Sequence, residues 1–159
     1  MTLSVRRVVT GHDSQGNAIV KYDGITQNVR QGRPGAFATN IWTTSTSPAN
    51  NSTEEDAGDA KVGTTMPGGS VFRVIDFQPG VAARMHRTDS VDYIVVMKGS
   101  IDMALDNGVE VHLKEGDVMV QRGTIHNWIN RGTEACRIAV VLVHADSAVA
   151  GGKVLAAAG

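Results

Sequence analysis

A chain of 159 residues is long enough for one domain with a real core, because a fold of that size buries roughly 68–70% of its unfolded surface. Apolar residues make up 42% and charged residues 19%, the balance of an ordinary globular protein. Fifteen Lys and Arg against sixteen Asp and Glu leave a net charge of −1, which supplies no positive field to recruit nucleic acid.

Eighteen glycines punctuate a chain rich in Val, Ile and Thr. No stretch of about 12 residues carries a helical apolar stripe, and short β-favouring runs lie between Gly, Asn and Asp turns. Residues 3–10 and 18–22 read as a hairpin across the turn-forming segment 11–17. A short strand is predicted at 37–43. Residues 44–69, with Glu54, Glu55, Asp56 and Asp59, are long for an ordinary connection and read as a solvated loop or as a lid over a site. From residue 71 the pattern sharpens, with strands predicted at 71–77, 92–98, 101–105, 109–113, 117–121, 127–130 and 136–144. Asp106-Asn107-Gly108 between alternating apolar residues is a strong hairpin signal. Closely spaced short strands predict an all-β antiparallel barrel or jelly roll with little helix. The Ala-rich segment 148–159 has nothing to bury and is expected to fray. The chain thus reads as one domain over 1–147, with a hairpin and loop in 1–70 and a barrel in 71–146.

A single cysteine, Cys136, excludes an intramolecular disulfide and a Cys-rich zinc module; it reads as a core residue. After Arg6 and Arg7 the apolar run is only Val8-Val9. That is neither a signal peptide nor a membrane span, so a cytoplasmic protein without membrane or nucleic-acid partners is expected.

Strand parity selects the candidate chemistry. Side chains of equal parity share a face, which groups His86, Thr88 and Asp92 on one strand and His126, Trp128 and Asn130 on another. Two imidazoles and one carboxylate form a workable shell for a divalent transition metal. The same trio could instead transfer protons, with Asp92 orienting an imidazole that acts as base or acid. Arg73 lies mid-strand, where a free charge is costly to bury. It therefore points to solvent or pairs with Asp92 or an anionic substrate. Gln121, Met119 and Trp128 have the parity to line the same cavity, whereas His12, His112 and His144 read as structural. Tyr93, Val95 and Met97 form an apolar outer face, which predicts a homodimer.

The segment from Gly80 to Asn130 resembles the two motifs of the cupin superfamily. In the first, G-x5-H-x-H-x3-E-x6-G, the positions are held by Gly80, His86, Thr88, Asp92 and Gly99. In the second, G-x5-P-x-G-x2-H-x3-N, they are held by Gly116, Gln121, Gly123, His126 and Asn130, with one residue fewer after the first glycine. The stretch HRTDSVDYIVVMKG and the later GDVMVQRGTIHNWINRGTE resemble a subgroup of small single-domain cupins, with similarity over residues 3–146. The resemblance implies a double-stranded β-helix and a metal or catalytic site at His86, Asp92 and His126. Zn, Fe, Mn or Ni would serve, and no organic cofactor is implied. Arg73, Thr88, Gln121 and Trp128 would contact substrate. Thr88 replaces a ligating His, and that loss favours non-redox chemistry on an oxygenated organic small molecule: decarboxylation, elimination or isomerisation in secondary metabolism or catabolism. An Fe- or Mn-dependent dioxygenase is the first alternative, and a non-catalytic small-molecule-binding cupin is the second.

Overall fold

The computed structural model describes residues 3–159, and no helix occurs among them. Thirteen strands follow one another. The first four are β1 (Arg6–His12), β2 (Ala18–Ile25), β3 (Arg30–Arg33) and β4 (Ala36–Thr44). Next come β5 (Ser70–Phe77), β6 (Ser90–Lys98), β7 (Ser100–Leu105) and β8 (Glu110–Lys114). The last five are β9 (Val118–Arg122), β10 (His126–Ile129), β11 (Cys136–His144), β12 (Ala148–Ala150) and β13 (Lys153–Leu155). Strand β6 begins at Ser90, two residues earlier than the pattern predicts, and the polar strand β3 has no counterpart among the predicted elements.

A six-stranded sheet in the order β3-β4-β5-β11-β6-β9 faces a three-stranded sheet in the order β10-β7-β8. All pairings are antiparallel. Alternation explains the core. Val71, Phe77, Ile94, Val96, Ile138, Val140 and Leu142 point inward from the large sheet and meet Ile101, Met103, Leu113 and Trp128 from the small one. Outward residues of β5 and β11 are not all wet, because Asp76 is buried under a bidentate ion pair with Arg137 at 2.7 and 2.8 Å. Arg137 also donates to the Ser4 carbonyl, tying the N-terminal segment to this face. Cys136 is fully buried, and burial pushes its thiol up to about 11, so it is an inert core residue.

Loop 45–69 has no strand, yet much of it is pinned to the barrel. Arg7 holds Asp56 at 2.7 and 2.5 Å. Asn28 donates to the Gly58 carbonyl and Thr43 to that of Ala57. Val62 and Met66 pack against the core.

The frayed tail expected at 148–159 is not found. Residues of β12 and β13 form a hairpin, and Ala158 exchanges two backbone hydrogen bonds with Arg87. Arg84 and Arg87 also donate to the carbonyls of Gly159 and Ala156. Backbone pairing of this kind leaves no apolar pattern in the sequence, so side-chain periodicity does not reveal it.

Candidate functional site

The site begins with a backbone pairing. His86 and His126 donate their amide hydrogens to each other's carbonyls, both at 3.0 Å, as an isolated antiparallel bridge. Directly opposed residues of such a pair project to the same side. The two rings therefore meet, with centroids 4.3 Å apart and planes at 47°. Gly123, at φ 57°, supplies the left-handed residue of the turn that delivers His126 into register. On the opposite flank, the Asn127 side chain accepts from the Arg84 amide at 2.9 Å and fixes the segment that carries His86.

Ring tautomers follow from the partners. His86 Nδ1 lies 3.0 Å from the Arg84 carbonyl, and His126 Nδ1 lies 3.0 Å from the Thr124 carbonyl. A carbonyl can only accept, so each Nδ1 carries the hydrogen and each neutral Nε2 keeps its lone pair. Neither Nε2 has a hydrogen-bond partner among the described residues. Both rings are buried, and burial lowers the pKa of each. His126 is pushed down to about 4. Both imidazoles are neutral at pH 7.

They form one wall of a cavity of about 150 Å³. Its apolar lining is Ile75, Phe77, Ile94, Ile138, Val140 and Leu142. Trp128 also lines it, stacked on Phe77 at 5.9 Å and edge-on to His126 at 5.8 Å. Asp92 is buried in the same wall system, and that burial raises its carboxyl above the ordinary range. Ser90 donates its hydroxyl to Asp92 Oδ1 at 2.6 Å. With the Ser90 hydrogen so engaged, the 2.8 Å contact to Thr88 must be Thr88 donating to Ser90. Thr88 thus belongs to a hydroxyl chain ending on the ionised carboxylate.

The predicted residues separate at this point. His86, Thr88, Asp92, His126, Arg73 and Trp128 all line the cavity. Gln121 does not: it is buried on edge strand β9 and donates instead to the Thr124 hydroxyl. Met119 packs against the core without reaching the cavity lining. Asn130 is a structural pin, donating to the carbonyls of Phe77 and Glu134 at 2.8 Å each. His112 is exposed beside Asp102, and His12 and His144 lie away from the cavity. Arg33, Arg84 and Thr64 line the cavity and are not among the residues the sequence singles out.

A divalent ion on His86, Asp92 and His126 requires three donors converging on one point. Among the described residues no group of three His, Cys, Asp or Glu side chains is placed to hold an ion. Asp92 is engaged by Ser90, and the slot of the fourth ligand holds a threonine already donating elsewhere. As folded, these residues do not make the shell that the resemblance implies.

Comparisons with known proteins agree with this fold. The family model described as "Cupin domain" matches residues 73–143. The "Phomopsin biosynthesis cluster protein C'" of Diaporthe leptostromiformis is 38% identical, covering 94% of this chain and 83% of that protein. The "Cupin-domain-containing oxidoreductase fogC" of Aspergillus ruber is also 38% identical, over 94% of this chain and 77% of its own. Among solved structures, the polyketide cyclase RemF from Streptomyces resistomycificus superposes with a TM-score of 0.52 at 18% identity, over 79% of this chain and 80% of that one. No helix of the described residues is long and apolar enough to cross a membrane. The chain belongs to the cupin-domain family.

Proposed function

We propose that this chain is an enzyme of small-molecule biosynthesis that moves a proton on an organic substrate held in the barrel cavity. The observation that supports it is the paired neutral imidazoles, each with its Nδ1 hydrogen engaged by a carbonyl and its Nε2 lone pair free. A neutral, oriented imidazole is a general base, and such groups contribute roughly 10²–10⁴ in rate. Burial keeps His86 and His126 unprotonated at neutral pH, so a substrate proton can be taken without first losing one to solvent. The imidazolium so formed is the acid able to return the proton, with the buried Asp92 carboxylate lining the same cavity. The apolar walls keep both rings buried. Isomerisation uses both steps, elimination the abstraction alone, and decarboxylation the delivery of a proton to the carbon that loses carbon dioxide. Two relatives are named as proteins of a phomopsin biosynthesis cluster, which favours a tailoring step on a specialised metabolite.

A second reading has its own support. Several relatives are named cupin-domain-containing oxidoreductases, so electron transfer to oxygen competes with proton transfer. One experiment separates the two. The protein is incubated in D2O with a metabolite extract from a source strain lacking its gene, and products and oxygen uptake are measured. Isomerisation or decarboxylation yields a product carrying solvent deuterium, and elimination yields an alkene that has lost a carbon-bound hydrogen, with no oxygen consumed in either case. Oxygen uptake coupled to product formation overturns it.

We also propose a homodimer formed through the outer face of β6 and β9. Tyr93 lies opposite Val120 and Val95 opposite Val118, and all four are exposed. Val118 is the most open of them, at 74%. Apolar side chains this open on adjacent strands, one of them an edge strand, are normally covered. Light scattering at micromolar concentration should give twice the chain mass, and Tyr93→Lys with Val120→Lys should halve it. A monomeric mass for the unmodified chain contradicts this assembly.

A further inference from the structure

The cavity is positively charged where the two imidazoles are not. Three arginines line it, Arg33, Arg73 and Arg84, against one carboxylate, Asp92. Asp92 faces Arg73, while the charged neighbour that Arg33 feels is Arg84, a like charge. Arg33 Nε and Nη2 are both buried and have no hydrogen-bond partner among the described residues. Arg73 donates Nη2 to the Gly63 carbonyl at 2.7 Å, but its Nε is likewise buried and unpartnered. A guanidinium presents its donors as a planar fork, and burying that fork unpaired is costly. The arrangement persists because the guanidiniums are held in place. Arg33 lies over the Phe77 ring at 5.8 Å from its centroid, and Phe77 stacks on Trp128, which meets His126 edge-on.

We infer that the substrate is a small organic carboxylate, whose oxygens pair with the Arg33 and Arg73 forks while its apolar body lies along the aliphatic walls toward the imidazoles. A carboxylate matches the fork in shape as well as in charge, with two parallel N–H···O bonds on one plane. It also supplies the acceptors that these buried nitrogens lack. The cavity of about 150 Å³ and its largely aliphatic lining select a compact acid with an apolar body over a sugar or a nucleotide. The inference rests on the same cavity being the reaction site, and names the chemical class that site accepts.

The test uses benzoate and hexanoate as probes, with benzamide and hexanamide as uncharged isosteres, in titration calorimetry and thermal melting of the whole chain. At least one carboxylate should bind in the millimolar range or tighter, and about tenfold or more tighter than its amide. Arg33→Gln and Arg73→Gln should each lose about tenfold or more of that affinity. Without probe, Arg33→Gln should melt at or above the temperature of the unmodified chain, because a buried unpaired charge has been removed, whereas Arg73→Gln should melt lower, because it loses the Gly63 hydrogen bond and leaves Asp92 without its cation. His126→Gln should retain carboxylate binding. Amides binding as tightly as acids, no acid binding, or carboxylate affinity unchanged in both arginine variants overturns the inference. If those results arise while His126 substitution still abolishes turnover, the substrate class fails and the proton-transfer reading stands. Selective carboxylate binding by an enzyme whose turnover is indifferent to His126 is the converse: the substrate class stands and the proton-transfer reading fails.

Discussion

Replacing His126 with alanine should lower deuterium-incorporating turnover at least about a hundredfold, while the protein still unfolds cooperatively. The expected loss is large because three properties meet in one side chain. Its ring is buried, its Nδ1 hydrogen is fixed on the Thr124 carbonyl, and its Nε2 faces neither a protein donor nor an acceptor. The substitution removes the base and leaves space that water can enter beside His86, so the remaining imidazole is less buried. Structural damage stays local, because the backbone bridge between residues 86 and 126 does not depend on the side chains. Turnover within a few-fold of the unmodified enzyme, with the fold intact, would remove His126 from the chemistry.

Acidification should destabilise the fold between pH 6.5 and 4, and His126 should carry much of that change. Burial is the main cause that pushes its imidazole from 6.5 to about 4, with His86, Arg33 and Arg84 adding repulsion. The unfolded chain therefore binds a proton in this window that the folded chain refuses. Stability is complete above pH 6.5 and falls as pH drops through the interval, by about 3 kcal/mol once both states are protonated. His86 shifts in the same direction and adds to the loss. Asp92, raised by burial, has the opposite sign and offsets part of it. Urea unfolding at pH 7.5 and 4.5 measures the effect: the drop should shrink by about 2–3 kcal/mol in His126→Gln relative to the unmodified chain. Equal drops in both proteins would show that His126 is already protonated or solvated in the native state.

The barrel strands are legible in the sequence because inward and outward residues alternate cleanly. In β11, Ile138, Val140 and Leu142 are buried while Arg137 and Val141 are not. Parity also puts His86, Thr88 and Asp92 on one cavity, although only Asp92 lies in β6 and His86 is held there by its isolated bridge to His126. Arg84 has the same parity as His86 and lies two residues before it, so the signal that places it in the cavity is present in the chain. Arg33 carries no such signal. It belongs to β3, whose sequence Arg-Gln-Gly-Arg has no apolar residue to mark it as a strand. Gln121 shows the limit of parity: it pairs with Asp92 across β6 and β9, yet the bend toward Thr124 takes its side chain out of the cavity. The placement of donors around His86 and His126 is likewise beyond spacing alone, because it depends on which hydroxyl already holds Asp92.

Proton transfer in this cavity requires both imidazoles to be neutral bases with their lone pairs on Nε2. Long-range proton–nitrogen correlation spectra of the histidine side chains at pH 7 read that state directly, with His86→Gln and His126→Gln providing the assignments. Both rings should show a protonated Nδ1 and an unprotonated Nε2, and His126 should hold that pattern until the pH approaches about 4. An imidazolium at either position at pH 7, or a hydrogen on Nε2, would contradict this state and with it the proton-transfer chemistry.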